Sequence, residues 1–307
     1  MVTKGDKIVF ALILVLAGLA FFFLKGRKST IVQGAVAQEK SKSGKKGKEA
    51  KNADVESDNR ISIVEKWNMP GDLTEISGIS YIDNSRFACV QDEEGKIFIY
   101  NTATHKIEQE VRFGEPGDYE GIAVVGATAW VQRADGTLFE VAGYTGKKPA
   151  VVQHKTHLTA KQDVEGLCYD QKNNRLLLAI KGKEQDTKDY KGIYAFDLSS
   201  KKLGGAPVHK IDLTEKQSAE EKGKNKIQPS DLSIHPTSGD LYILDGPDSK
   251  LLVMGTDGTR KNLYALSTSD FPQPEGIDFS PAGELFISNE GQKGTGNIMK
   301  VLIGATP

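Results

Sequence analysis

This sequence predicts an all-β fold: a five-bladed β-propeller closed by an N-terminal strand and preceded by one transmembrane helix and a disordered linker. Three observations carry the prediction. A short phrase recurs five times, as Ser77-Gly78-Ile79, Glu120-Gly121-Ile122, Glu165-Gly166-Leu167, Ser230-Asp231-Leu232 and Glu275-Gly276-Ile277. Successive copies stand 43, 45, 65 and 45 residues apart, and a period in the forties followed by β-type residues is the mark of propeller blades. Short runs of branched and aromatic residues alternate with Asp, Asn and Gly turn signals between the copies. Finally, a strand-like segment, ISIVEKW at 61–67, precedes the first copy without a blade of its own.

The N-terminal element is residues 1–28, read as a transmembrane anchor. Ile8 to Leu24 is a run of 17 residues without a charge. At 1.5 Å per residue it spans roughly 25 Å, the short end of what a bilayer core requires. A cleaved signal peptide is the rival, but its apolar region is usually shorter. Ala35-Val36-Ala37 resembles a cleavage site yet lies beyond Lys25, Arg27 and Lys28. No cysteine follows the run to carry a lipoprotein anchor.

Residues 29–59 form a Lys-rich linker. Few apolar residues and many charges leave it too little surface to bury, so it is expected to be a solvated tether. Residues 1–59 hold 11 Lys/Arg and 6 Asp/Glu, whereas the remainder holds 29 and 35. A mildly acidic domain without clustered Lys and Arg is a poor nucleic-acid binder, because phosphates need neutralising. Flanking lysines counted alone would keep the domain in the cytoplasm.

The propeller is expected over residues 60–307. In the first repeat, ISGISYI (76–82), RFACVQ (86–91), KIFIYN (96–101) and KIEQEVRF (106–113) read as four strands. The second and fourth repeats divide in the same way. The last repeat supplies only GIDFSP, ELFISNE and NIMKVLI, so ISIVEKW should complete it and close the ring. The long interval contains about 20 extra residues for one blade period. They are placed at Gly182–Lys191 or Thr214–Gln228, where Glu215–Lys222 could form a helical turn. Cys89 and Cys168 fall two blades apart, too far for a disulfide, and are expected to be buried free thiols.

Equivalent positions on first strands converge on the central channel, so the repeat also predicts a site. One column is Ser77, Glu120, Glu165, Ser230 and Glu275. Strand alternation adds Glu75, Asp118, Asp163, Gln228 and Gln273, two residues earlier. Asp231 adds a carboxylate in place of the motif glycine. Crowded carboxylates repel and are costly to desolvate, and a cation would relieve both. An oxygen-only set suits Ca²⁺, and the lack of His and Cys argues against zinc. The candidate ligands are Glu120, Glu165, Glu275, Asp231 and Glu75; the alternative is that these acids cap turns or pair with lysines. The second strands end in Gln91-Asp92, Gln132-Arg133, Lys181-Gly182, Asp245-Gly246 and Asn289-Glu290, a second ring at the channel mouth, where Arg133 and Lys181 either counter the acids, bind an anionic ligand or are plain exposed ends. His154 and His157 read as a solvated pair. Hydrolase, phosphate-loop and dinucleotide motifs are missing.

The stretches EISGISYIDNSRFACVQDEEGKIFIYN, DYEGIAVVG, QPSDLSIHPTSGDLYIL and QPEGIDFSPAGELFISNEG resemble the SdiA-regulated family of bacterial proteins. The resemblance covers roughly residues 61–303 and implies a five-bladed propeller that binds calcium. It also implies distant similarity to NHL-repeat propellers and to metal-dependent lactonase and esterase propellers. Carried over by position, the implied ligands are Glu120, Glu165 and Glu275, while Ser77 and Ser230 break the column. Similar proteins are held in the inner membrane and face the periplasm or exterior, which is the orientation expected here. The favoured function is a membrane-anchored module with a calcium-binding channel that binds a small molecule or a protein, as a monomeric propeller. The alternative is a metal-dependent hydrolase of lactones or esters.

Overall fold

The computed structural model describes residues 61–214, 226–292 and 294–304. The expected membrane span, the linker and the helical turn at 215–222 lie outside the described residues. Among the described residues, no helix is long and apolar enough to cross a membrane.

Five antiparallel sheets make a propeller. The chain opens with β1 (Ile61–Asn68). Blade one then follows as β2 (Ile76–Asp83), β3 (Arg86–Gln91), β4 (Lys96–Asn101) and β5 (Lys106–Arg112). Blade two is β6 (Tyr119–Val125), β7 (Thr128–Arg133), β8 (Leu138–Ala142) and β9 (Ala150–His154). Blade three contains β10 (Val164–Asp170), β11 (Arg175–Ile180), β12 (Tyr190–Asp197), β13 (Lys202–Leu203) and β14 (His209–Asp212). Blade four is β15 (Pro229–Ile234), β16 (Leu241–Asp245), β17 (Lys250–Met254) and β18 (Arg260–Ala265). Blade five is β19 (Pro274–Phe279), β20 (Leu285–Asn289) and β21 (Asn297–Ile303), with β1 as its outermost strand.

The closing strand is therefore the one the sequence left over. Trp67 pairs with Ile298 across β1 and β21, and its ring lies 6.2 Å from that of Phe286. Blade three departs from the repeat, because β13 and β14 both pair with β12. Part of the long interval's excess lies in the connection from β11 to β12, residues 181–189, and the rest of it falls around β13 and in the connection from β14 to β15, whose residues 215–225 lie outside the described residues.

Each blade buries a face against the next, so the core is five inter-blade layers. Phe87 and Ile79 meet Phe286, Val90 meets Ile122, and Trp130 meets Val164 and Leu167. Leu177 packs with Leu232, and Leu244 with Ile277. The alternating apolar residues of second and third strands supply most of this area, and its burial is the main stabilising term. Cys89 and Cys168 are buried free thiols within these layers.

First strands sit innermost, and one edge of each has no neighbouring strand. Several of their orphan N–H groups are met by polar side chains of the ring. The Asp231 carboxylate accepts from Leu167 N at 3.1 Å and from Ile277 N at 2.8 Å, joining blades three, four and five. Asp278 accepts from Tyr81 N at 2.8 Å and from Ser233 Oγ at 2.9 Å. Ser80 Oγ accepts from Val124 N at 3.1 Å. The solvated histidine pair is a correction: His154 Nε2 lies 2.8 Å from Glu140, and its ring packs on Trp130 and Phe196. These partners come from blades two and three, which the sequence period does not align. His157 remains exposed, against Tyr194.

Candidate functional site

The recurring phrase is a recurring β-bulge. In every first strand the register slips between Ile76 and Gly78, Tyr119 and Gly121, Val164 and Gly166, Pro229 and Asp231, or Pro274 and Gly276. Ser77, Glu120, Glu165, Ser230 and Glu275 are the residues left without a cross-strand partner. A bulge bends the strand and re-aims that side chain. The following glycine lets the blades close: a Cβ on Gly121 would stand 2.7 Å from Leu167 Cβ.

The second column lies one step outside the sheets. Glu75, Asp118 and Asp163 each stand just before their strand begins, on the connection from the previous blade. Asp118 still hydrogen-bonds the Glu120 carboxyl. Asp163 there takes the left-handed backbone conformation, φ 49°. Glu75 is exposed.

Glu120, Glu165 and Glu275 come together at the channel end where the first strands start. Burial pushes Glu120 up to about 10, and Glu165, Asp118 and Glu275 push in the same direction. Glu165 is held up at about 8 by burial, with Glu275 and Asp163 adding to it, although Lys181 pulls it down. Glu275 is raised chiefly by burial, with Glu290 and Asp92 adding to it against Lys181 and Gln273. Burial also raises Asp92 and Glu290, which repel each other and Glu75.

One cation enters this ring. Lys181 Nζ lies 2.7 Å from Glu165 Oε1 and 2.8 Å from Oε2. The Glu165 side chain is only 8% exposed. Burial pulls the Lys181 ammonium down, but Glu165 and Glu275 more than offset it. Its backbone fixes it: Lys181 N donates to Asp163 O at 2.9 Å, and Lys191 Nζ holds the carbonyls of Lys181 and Gly182. Arg133 does not join, because its guanidinium grips Asp135 at 2.7 Å. Of the two basic strand ends, Lys181 counters the acids and Arg133 does not. Asp92 and Glu290, at the matching ends of β3 and β20, complete the acidic rim. Their place at strand ends does not by itself link either to the acids.

The candidate ligands thus separate. Glu120, Glu165 and Glu275 are neighbours. Asp231 has both carboxylate oxygens on backbone N–H groups, and Glu75 stands on the outer rim. All donors are oxygens, the chemistry Ca²⁺ takes. Among the described residues, no three acid, His or Cys side chains are already gathered so as to hold an ion. Glu120, Glu275 and Asp118 are the carboxyls not taken by Lys181 or the strand edges.

The chain matches the SdiA-regulated family over residues 55–292. It belongs to that family. Among curated proteins none matches it. Solved structures share the fold at low identity. Glutaminyl cyclase of Myxococcus xanthus is 15% identical with a TM-score of 0.56, covering 80% of this chain and 97% of that one. A streptogramin B lyase is 12% identical with a TM-score of 0.47, covering 80% and 100%. Virginiamycin B lyase of Staphylococcus aureus is 14% identical with a TM-score of 0.42, covering 81% and 76%. At 15% identity the glutaminyl cyclase shares architecture alone with this SdiA-regulated propeller.

Proposed function

We propose that this SdiA-regulated propeller is a cation-dependent binding module, with its site at the acidic end of the channel. The observation that carries this reading is the ring of Glu120, Glu165 and Glu275 set by three equivalent bulges, in which the Lys181 ammonium holds Glu165 and leaves Glu120 without a cation. Without a further cation, burial holds Glu120 and Glu165 with raised pKa values, about 10 and about 8. A hard divalent ion would displace those protons and remove the repulsion. Ca²⁺ is the metal the donors suit, on Glu120 and Glu275 with Asp118, while Lys181 keeps Glu165. Glu75 and Glu290 would attract a cationic ligand or partner surface at the rim.

The geometry favours binding over lactone or ester hydrolysis. Glu165 is paired and Glu120 keeps its proton near neutral pH, so neither serves as a ready base. The charge-free run at 8–24 supports a single-pass tether, and the calcium-rich side of the inner membrane is the side on which such a site would be filled.

Thermal unfolding of the full chain tests the reading. Ca²⁺ should raise Tm relative to EDTA at matched ionic strength, since a ligand that prefers the native state stabilises it by about 2.7 kcal/mol at 100 times its Kd. Glu120→Gln should remove most of that rise. An unchanged Tm in wild type sinks the proposal.

A further inference from the structure

The opposite end of the channel holds a cavity of about 980 Å³, at the upper end of the ~300–1,000 Å³ usual for ligand sites. It lies where the first strands finish, away from their acidic starts. Its wall includes the apolar side chains of Ile82, Val124, Ile234 and Pro236, together with Arg175 and His209. Apolar lining with a few placed polar groups is the usual composition of a small-molecule pocket.

The charges on this wall do not cancel evenly. Two carboxylates reach it, and both are engaged. Asp170 accepts from Arg175 Nε at 2.7 Å, from Asn173 N at 3.3 Å and from Asn173 Nδ2 at 2.7 Å. Asp278 accepts from Tyr81 N, Phe279 N and Ser233 Oγ, and burial raises its pKa, which favours the neutral acid. Arg175 gives Asp170 only its Nε, and its two Nη groups have no hydrogen-bond partner among the described residues. A guanidinium with that edge open is shaped for two oxygens of a carboxylate or phosphate. The His209 imidazole likewise has no hydrogen-bond partner among the described residues. Burial, with Arg175 adding to it, lowers its pKa, so near neutral pH it offers one N–H donor and one acceptor.

We infer that this cavity is a second ligand site, taking a small organic oxyanion. A carboxylate or phosphate head sits on the open edge of Arg175 and on His209, and an apolar body lies against Ile82, Val124, Ile234 and Pro236. The site is independent of the cation reading, since it shares no residue with the acidic ring.

Calorimetric titration of the full chain with benzoate, phenyl phosphate and benzamide tests it. Saturable one-to-one binding of benzoate or phenyl phosphate is expected, with whichever head binds tighter naming the oxyanion. Neutral benzamide should bind at least tenfold more weakly. Arg175→Gln should weaken the anions tenfold or more. Arg133→Gln, which removes a cation at the other end of the channel, should leave them unchanged. His209→Phe leaves the Asp170–Arg175 pair in place and fills part of the cavity, so it should abolish binding even if Arg175→Gln is poorly folded. Equal affinity for benzoate, phenyl phosphate and benzamide, no saturable binding by wild type, or wild-type affinity in His209→Phe would overturn the inference.

Discussion

The Lys181 ammonium spans both carboxylate oxygens of Glu165, at 2.7 and 2.8 Å, inside a ring of acids. The two residues sit together at the open end of one hairpin in blade three, since β10 begins beside Glu165 and β11 ends beside Lys181. Lys181→Met would leave Glu165 buried among Glu275 and Asp163 with no counter-charge. Breaking a buried pair costs roughly 3–5 kcal/mol. Here Glu165 can take up a proton, so a loss of about 1–3 kcal/mol at pH 7 is expected in urea unfolding. Adding Glu165→Gln to that variant should restore most of it. An additive double variant would show that the pair is not coupled.

Glu120 should make the cation-free protein lose stability as pH rises. Its folded pKa is about 10, whereas an unfolded glutamate titrates near ~4.3. Below the unfolded value both states hold the proton and there is no penalty. Between the two values the unfolded chain has released a proton that the folded chain keeps, so rising pH favours unfolding. The slope is at most about 1.4 kcal/mol per pH unit for one group, and water reaching the channel mouth reduces it. In EDTA, Glu120→Gln should therefore gain about 1–3 kcal/mol relative to wild type between pH 5 and pH 8. Parallel pH profiles for the two proteins would refute the assignment.

Asp231 acts as a clasp. Replacing it with Ala orphans the buried N–H groups of Leu167 and Ile277, each worth about 1–3 kcal/mol when left unpaired. A loss of about 2–4 kcal/mol is expected in chemical denaturation. The calcium response should survive, because the carboxylate faces strand edges and not the ring. Loss of that response in a folded Asp231→Ala protein would return Asp231 to the ligand set.

Closure of the ring rests on a strand that is far from blade five in sequence. Trp67 is 8% exposed and packs beside Phe286 and Ile298. Trp67→Ala should cost about 3–5 kcal/mol through lost burial and a cavity, read as a fall in urea midpoint at constant m. Exposed Val64 on the same strand is 53% accessible, and Val64→Ala should change stability by less than about 0.5 kcal/mol.

Much of the fold was legible in the residues. The spacing of Gly78, Gly121, Gly166, Asp231 and Gly276 counted the blades, and the missing fourth strand of the last repeat pointed to 61–67. The pairing register was not legible at one place, the start of each first strand. There the bulge lifts Glu120, Glu165 and Glu275 out of the two-residue period and leaves Glu75, Asp118 and Asp163 on the connections. A bulge depends on how two strands pair, and nothing in Asp-Val-Glu-Gly-Leu itself marks the slip. The irregular third blade escaped for a similar reason: β13 and β14 share one edge of β12, β13 at Phe196–Asp197 and β14 at Tyr190–Ile193, a division set by pairing.

The sequence by itself determined that five sheets close into a ring and that acids concentrate where the first strands begin. Both follow from local periods repeated along the chain. Only the tertiary structure decided which charges meet. Lys181 and Arg133 end equivalent strands, but Arg133 pairs with Tyr119 as Ile180 pairs with Val164, so Arg133 turns to Asp135 while Lys181, one position further on, reaches Glu165. Asp231 and Glu165 are neighbouring motif acids, yet one ties strand edges and the other faces the ring. Electrostatic partnership falls off with distance over a few ångströms, and those distances are set by the bulges and by the approach of the blades, which residue order does not encode one position at a time.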